Sequence, residues 1–410
     1  MALDPTVERP GFDSNSAMIK VSTYKSFQDL PKAYLPLFDQ WAGRSFFYDT
    51  AWFKNLVENT MGEADRVRIY CLELNDGSGA PVAALPTRFR MARGAPWRPR
   101  KLTSLTNYYS SLFGPELSDE RVSAGEILRE LARAIAADSL RWEVVDLKPL
   151  AADSPFFSPL VDSFRNAGMV VQTYFCFGNW YLPVCGRSYR EYFEGLPSQV
   201  QNTIKRKKKK LAQHGRTLVR MVTGGADLEA AIDAYRAVYA ASWKVPEPYP
   251  GFIPGLIRLC AEKGWLRLGL VDVDGEPAAV QLWIVNGGVA SIYKLAYNER
   301  FAPLSLGTIL TAQLMEHALD VDKVREVDYL SGDDRYKKDW MSHRRERLGI
   351  LAFNPWTVHG FVEMLRQVGG RALKNTLRGR SAAHGQTATV QPDSDARQSA
   401  GNTSTDREPV

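Results

Sequence analysis

Three apolar runs, Trp265–Val273, Pro277–Val285 and Val289–Tyr297, are separated only by Asp274-Gly275-Glu276 and Asn286-Gly287-Gly288. Turns that short fold the chain straight back on itself, and glycine beside Asp or Asn suits their backbone, so the runs must pair as neighbouring antiparallel strands. The middle of the second half is therefore sheet. Around it, apolar spacing predicts helices over Ser198–Gln213, Leu228–Trp243, Pro254–Lys263 and Ser305–Leu319, and strands over Leu218–Val222 and Val324–Leu330.

The first half repeats this order. A strand over Met18–Tyr24, helical spacing over Asp29–Trp41 and a helix over Trp52–Thr60, capped by Asp49 or Thr50, lead into a hairpin. Its arms are Arg66–Leu74 and Ala80–Met91, turning at Asp76-Gly77-Ser78-Gly79. An amphipathic helix over Arg121–Leu140 follows, with Ile127, Leu128, Leu131 and Ile135 as its stripe, then a strand over Trp142–Leu147 and a helix over Phe157–Ala167. Both halves read helix, hairpin, helix, strand. The expected class is α/β (α+β), as two tandem domains, each a mixed, mainly antiparallel sheet flanked by helices. The expected boundaries are 17–190 and 191–365, after a disordered leader 1–16 and before a basic helical flank 366–380. The tail 381–410, with no aromatic residue, has too little apolar material to offset the entropy of ordering.

Charge is concentrated in one element. Lys205, Arg206, Lys207, Lys208, Lys209, Lys210, Arg216 and Arg220 fall within 197–220 without a single acid, and these eight exceed the net charge of +6, so the remainder is slightly acidic. Four cysteines, Cys71, Cys176, Cys185 and Cys260, are too few and too scattered for a disulfide framework, which fits a reducing interior. The opening residues carry acids and prolines where an export signal needs a basic end and an apolar run. Charges interrupt every apolar stretch before the roughly 18 residues a membrane helix requires. A cytoplasmic location is expected.

Several chemistries are excluded or disfavoured. No Gly-Lys pair exists for a nucleotide-phosphate loop, no G-x-G-x-x-G occurs, and no G-x-S-x-G elbow occurs. His214, His317, His343, His359 and His384 include no i, i+4 pair and no nearby cysteine, so no metal site is expected. What remains is Asp328-Tyr329-Leu330-Ser331-Gly332-Asp333-Asp334-Arg335-Tyr336-Lys337-Lys338-Asp339-Trp340, where a strand end, a permissive glycine, acids, a tyrosine and lysines meet on one loop. Asp333 and Asp334 capping a short helix, with Trp340 filling the core, is the plain structural alternative.

The stretch from about Leu196 to Trp340 resembles the acyltransferase domain of the CelD/BcsL type in the GNAT (Gcn5-related N-acetyltransferase) superfamily, which is itself similar to the FemAB peptidyltransferases. The resemblance is carried by the basic helix Asn202–Leu211, Ser242-Trp243-Lys244, Ile292–Tyr297, Leu304-Ser305-Leu306-Gly307, and Asp328–Trp340, where Tyr336-Lys337 with Trp340 is similar to the aromatic-Lys-x-x-aromatic signature of FemAB domains. The first half resembles a degenerate copy. The resemblance implies transfer of an acyl group from a thioester or ester to an amine. Such a reaction needs a fixed donor or cation where the carbonyl gains charge, for which Lys337 is the candidate, and a proton acceptor, for which Asp333, Asp328 and Tyr336 all remain open. Trp243, Lys244, Tyr293, Lys294, Tyr297, Trp340 and Arg206 are the implied substrate-binding residues.

An acyl-CoA donor is implied, with its diphosphate at a helix start in a loop of the form [QR]-x-x-G-x-[GA]. Here Arg300 fits, but Pro303 and Ser305 stand in place of the glycines and Pro303 removes an N–H. Ser305, Leu306 and Gly307 then read either as a donor site of altered geometry or as an ordinary capped helix start. Six consecutive cations at Lys205–Lys210 suit a polyanion: the phosphates of CoA, a nucleotide sugar, an anionic membrane surface or tRNA. A second basic cluster, Arg88, Arg90, Arg93, Arg98, Arg100 and Lys101, reads as a solvated loop. The leading expectation is an N-acyltransferase acting on an amine such as an amino sugar of an envelope or exopolysaccharide. The alternatives are a FemAB-like transfer from aminoacyl-tRNA to a peptidoglycan precursor, or a non-catalytic RNA- or lipid-binding protein.

Overall fold

The structure, a computed structural model, describes residues 18–91, 99–117, 122–213 and 216–367. The leader 1–16, the tail 381–410, the basic flank beyond residue 367, and Arg93 and Arg98 lie outside the described residues.

In chain order the first half forms β1 (Ile19–Tyr24), α1 (Leu35–Ala42), α2 (Thr50–Thr60), β2 (Asp65–Leu74), β3 (Pro81–Arg90), β4 (Lys101–Ser104), β5 (Glu116–Leu117), α3 (Ala124–Ala136), β6 (Val144–Ala151), α4 (Phe157–Asn166) and β7 (Val170–Pro183). The second forms α5 (Tyr189–Glu194), α6 (Ser198–Ala212), β8 (Thr217–Val222), α7 (Leu228–Ala240), α8 (Phe252–Glu262), β9 (Leu266–Val273), β10 (Glu276–Asn286), β11 (Val289–Tyr297), α9 (Leu306–Asp320), β12 (Glu326–Asp328), α10 (Lys337–Trp340) and β13 (His343–Phe353). Local chemistry sets several of these limits. The Asp49 carboxylate accepts the Ala51 N–H at the start of α2, and Ser123 with Glu126 forms a reciprocal cap on α3. Gly275, Gly287 and Gly288 adopt positive φ in the two turns of the meander β9–β10–β11.

All thirteen strands join one sheet in the order β1-β2-β3-β4-β6-β13-β7-β12-β11-β10-β9-β8, with β5 on β3. The pairs β4/β6 and β11/β12 are parallel and the named pairs otherwise antiparallel, so the sheet is mixed and mainly antiparallel, flanked by helices, as the class expected. The expected boundary at residues 190 and 191 falls within α5, and the sheet runs on across it. The reason is β13, which leaves the second half and inserts between β6 and β7, pairing with β7 from His343↔Tyr181 to Phe353↔Val170.

Packing joins the halves as well. One core holds Phe38, Trp41, Trp52 and Phe53 of α1 and α2 together with Ile232, Tyr235, Phe252 and Leu256 of α7 and α8. Trp52 meets Phe252 edge-on at 5.5 Å between ring centres, and Tyr109 stacks on Phe252 at 4.0 Å, favourable geometries for aromatic quadrupoles. A second core lies between α9 and the β9–β11 meander, and a third between α3, α4 and the β2/β3/β6 surface. Among the described residues no helix is long and apolar enough to cross a membrane.

Ile350 is fully buried on β13 between two strands of the first half. Ile350→Ala is expected to lower unfolding stability by about 2–5 kcal/mol, because the void cannot close against β-sheet neighbours. Urea titration followed by tryptophan fluorescence reads this directly, and an unchanged midpoint would contradict the placement of β13.

Candidate active site

The cleft arises where two paired strands part. β11 and β12 pair only over Val289↔Glu326, Ala290↔Val327 and Ser291↔Asp328. β12 then ends, and the chain peels away through Leu330 and Gly332, both at positive φ, into α10. β11 continues to Tyr297 with β10 on its other side only. Opposite Leu282/Trp283, β11 carries one extra residue at Tyr293, a bulge that re-aims the side chains around it. Into the gap between the parted strands fits a cleft of about 530 Å³.

Its floor is polar and tightly held. The buried Gln281 amide on β10 donates to the Gly307 carbonyl at 2.9 Å and to the Thr311 hydroxyl at 2.7 Å, and accepts from the Trp283 indole at 2.8 Å. This fixes the start of α9 against the sheet, so Gly307 and Thr308 face the cleft. Ser305 sits at φ 54° as the residue before α9 and makes no side-chain cap; its carbonyl takes the Thr308 and Ile309 N–H groups instead. Leu306 and Gly307 occupy the first turn, where a helix has no partner of its own for its N–H groups. From α6, the Lys207 ammonium reaches the Pro303 carbonyl at 2.7 Å and puts a cation beside this helix start. The positive end of α9 and Lys207 are chemically suited to a phosphate group.

The loop between α7 and α8 forms the roof. Trp243 lies 4.5 Å from the Tyr297 ring, and Lys244 lies between the Trp243 and Tyr239 faces, 5.8 and 5.9 Å from their centres. Burial, reinforced by the nearby Lys294 ammonium, pushes the Lys244 amine down to about 8. Lys294 is neutralised by Glu247 at 2.7 Å and lies over the Tyr108 and Tyr109 rings. Glu247 also accepts from both of those tyrosine hydroxyls. Burial opposes ionisation of Glu247, but these three donors outweigh it and hold the carboxyl below its usual range.

The third wall is the turn before α10. The Lys337 side chain is buried, and its ammonium donates to the Ser331 carbonyl, contacts the Gly332 carbonyl at 3.3 Å and pairs with Asp334 at 3.2 Å. A lysine has three N–H donors, so the ammonium staples the turn as well as charging the wall. Tyr336 stands beside it; burial, with Asp334 nearby, raises its hydroxyl to about 12. Trp340 does two things, closing the cleft and filling the core beneath α9, with its carbonyl accepting from Tyr192 at 2.9 Å.

Of the residues singled out from sequence, Lys337, Tyr336, Gly307, Trp243, Lys244, Tyr293, Lys294, Tyr297 and Trp340 line this one cleft. The others do not. Asp333 is bound two-pronged by Arg344 at 2.7 and 2.8 Å, which holds its carboxyl low, and it packs against Gly178, where any Cβ would collide with it. Asp328 is buried beside a separate cavity, tied to Arg345 at 2.7 Å and to Asn179 and the Leu330 N–H. Neither carboxylate is on the cleft wall, so the proton-acceptor expectation is corrected for both. Arg300 pairs with Glu276 at the surface, Leu306 turns into the core, and Arg206 lies on the outer face of α6 with Gln199, Asn202 and Thr203. The sequence reading passed over Gln281, Thr311 and Glu247, and named Asp334 within the Asp328–Trp340 stretch and as a helix cap without a role in the cleft. Glu247 had a signal, an acid three residues after Lys244; Gln281 had none, being a polar residue within an apolar strand. Among the described residues no group of three His, Cys, Asp or Glu could hold a metal ion.

Residues 198–338 match the model of the acetyltransferase (GNAT) domain. The match takes in the basic helix, the meander, the start of α9 and Lys337, and supports acyl transfer as the chemistry of this half. No curated protein matches the chain by sequence. The crystal structure of FemX is similar in fold, with a TM-score of 0.56 at 11% identity, covering 85% of this chain and 99% of that one. A conserved protein of unknown function from Bacteroides thetaiotaomicron VPI-5482 is similar at a TM-score of 0.50 and 8% identity, over 80% of this chain and all 100% of that one. The fold thus extends beyond the GNAT match to both halves.

Because Lys244 is held below the ordinary lysine value of 10.5, the folded state binds its proton less well than the unfolded state does. Lys244→Met is expected to melt at a higher temperature than the parent at pH 7. The advantage is full below about pH 8 and fades as the pH rises through 10.5, above which the amine is neutral in both states. Thermal melts at pH 7 and pH 10.5 check this; equal melting at both would contradict the burial of a poorly neutralised cation.

Proposed function

We infer that the chain is an N-acyltransferase of the CelD/BcsL type within the GNAT superfamily, joining an acyl group to a primary amine in the cleft at the start of α9. The observation that carries this reading is the meeting in one cleft of the α9 start, the lowered amine of Lys244 and the Tyr336-Lys337 turn, all within the span of the GNAT match. Acyl-CoA is the proposed donor, supplying an activated thioester. The N–H groups of Leu306 and Gly307, with Lys207, would take its diphosphate.

The residues then have separate tasks. An acceptor amine arrives protonated, and a group that is partly neutral near pH 8 can take that proton; Lys244 has this property, whereas Tyr336 holds its own proton too tightly. The amine nitrogen bonds to the acyl carbon, the carbon–sulfur bond breaks, a second proton passes from that nitrogen to the thiolate to give free thiol, and Lys244 releases the first to solvent. Negative charge developing on the carbonyl oxygen faces Lys337, whose longest contact, to Gly332 at 3.3 Å, is the one an oxyanion would replace. Trp243, Tyr297 and Tyr293 would enclose the acyl group, and Lys294 with Glu247 would orient the acceptor. An amino sugar in envelope or exopolysaccharide biosynthesis fits as acceptor, in the cytoplasm, since the cleft is polar and bordered by tyrosines.

A second reading is FemAB-like transfer from aminoacyl-tRNA to a peptidoglycan precursor. It is favoured by Pro303, which removes an N–H from the diphosphate loop, by the exposed lysines of α6, and by the FemX fold. In that case Lys205–Lys210 would hold tRNA phosphates rather than an anionic membrane surface. A protein that only binds RNA or lipid is the remaining alternative.

Free-thiol release from acyl-CoA thioesters of graded length, with a panel of amines and with aminoacyl-tRNA as competing donor, tests the reading. Turnover with a thioester is expected, with the acid limb of its pH profile bending near 8. Lys337→Ala should lower kcat by about 10²–10³-fold and Lys244→Met by about 10²–10⁴-fold with loss of the bend. Turnover with aminoacyl-tRNA alone would replace the first reading with the second. Steeply salt-dependent RNA retention with no turnover would remove both.

A further inference from the structure

A second cavity of about 250 Å³ adjoins the cleft, the two sharing Ser111 and Leu330 as a common wall. It lies over the junction of β7, β12 and β13 and is lined by polar side chains that the transfer chemistry above does not use. Arg345 and Arg347 project to the same side of β13, two residues apart, beside Asn179 of β7 and Asp328 of β12.

The two arginines are treated very differently. Arg345 is well supplied with partners: it reaches Glu326 and Asp328 at 2.7 Å each and Asn179 at 2.6 Å, and so engages two of the three carboxylates that line this cavity. Arg347 is only 5% exposed, yet its guanidinium makes a single long hydrogen bond, Nη2 to Asn179 Oδ1 at 3.2 Å. That oxygen is already held more closely by Arg345. Asp153, 3.8 Å from Nη1, is itself a largely exposed side chain and outside hydrogen-bond reach. Arg347 Nε, although buried, has no hydrogen-bond partner among the described residues. A buried arginine presents five donors in a rigid fork, and leaving most of them unfilled is among the least favourable arrangements a protein interior can hold. On the same cavity, the Asn286 Oδ1 atom is buried without a donor.

We propose that this cavity is a carboxylate-binding subsite in which the Nε and Nη2 edge of Arg347 takes the carboxylate side-on, while Asn286 accepts a hydrogen bond from an N–H or O–H on the same ligand. The edge available on Arg347 has two parallel donors, the spacing that matches two carboxylate oxygens. The acids on the wall are outnumbered: four arginines, Arg44, Arg325, Arg345 and Arg347, line the cavity against three carboxylates, Asp153, Glu326 and Asp328. One net positive charge suits a carboxylate better than a doubly charged phosphate. Since the cavity shares a wall with the cleft, the ligand is the anionic end of the amine acceptor, which is thereby an amino compound that also carries a carboxylate; this last assignment rests on the acyl-transfer reading, whereas the binding itself does not.

The test uses the full chain without any acyl donor. Melting temperature is followed against sodium acetate, acetamide, inorganic phosphate and sodium chloride at matched ionic strength, and acetate affinity is read by line broadening of ¹³C-labelled acetate. Acetate is expected to stabilise the protein above chloride while acetamide does not. Arg347→Lys, which keeps the charge but loses the fork, should weaken acetate by about tenfold or more, and Asn286→Asp, which sets a carboxylate into the wall, should abolish the effect. Equal behaviour of acetate and acetamide, an acetate effect that survives both variants, or stronger stabilisation by phosphate would each overturn the carboxylate site. With turnover established, amino acceptors bearing a carboxylate should show a KM about tenfold below their amides, and Arg347→Lys should erase that difference by raising the KM of the carboxylate-bearing acceptors. Acetate binding without that KM difference would overturn the assignment to the acceptor, and binding without any turnover would leave the subsite standing while removing the acyl-transfer reading.

Discussion

The strand His343–Phe353 is the constraint on which the other features depend. Because it must travel from the second half to lie between β6 and β7, the chain preceding it has to leave the end of β12 and cross β7 within a few residues. That crossing is the segment Leu330–Trp340. Its geometry follows from the crossing: two residues at positive φ, a one-turn helix, and a buried lysine holding the carbonyls that the turn exposes. Without β13 anchored on its far side, nothing would keep β12 from pairing with the full length of β11, and the cleft between them would close.

Charge completes what topology opens. Three lysines approach one cleft, and each is handled by a different means. Lys337 is fixed by carbonyls and Asp334, and Lys294 is cancelled by Glu247, which two tyrosines hold in place. Lys244 lies between aromatic faces and makes no ion pair among the described residues, so desolvation and its cationic neighbours weaken its hold on a proton. The cleft therefore contains a fixed cation and a titratable amine side by side, the pairing that acyl transfer to an amine requires. A comparable contrast between a filled and an unfilled arginine marks the adjoining cavity.

Much of this was legible in the sequence, and the parts that were not share a physical reason. The meander, the hairpin, and the helices α2, α3, α7 and α9 show in turn residues and apolar spacing because each buries one face against the core. The strands β7 and β13 escaped. The first residues of β13, His343-Arg344-Arg345-Glu346-Arg347, show no apolar alternation, yet Arg345 is sheltered by ion pairs to Glu326 and Asp328, and the strand itself by β6 and β7 on its two sides. Period-two alternation detects strands that bury apolar side chains, not those that bury paired charge. The candidate site followed the same division. Lysines and aromatics around Tyr336-Lys337, Trp243-Lys244 and Tyr293-Lys294 could be gathered from local chemistry and a family resemblance. That Asp328 and Asp333 face elsewhere depended on Arg345 and Arg344, partners on a strand the sequence did not disclose.

Lysine footprinting tests the central claim most directly. The intact chain is treated at pH 8 with an amine-specific acylating reagent, with and without acyl-CoA, and modification at each lysine is read by mass spectrometry. The account predicts that Lys244 reacts well before the solvated lysines of α6 and that the donor shields it. Modification of Lys244 at the same rate as Lys208 to Lys210, unchanged when donor is present, would contradict it.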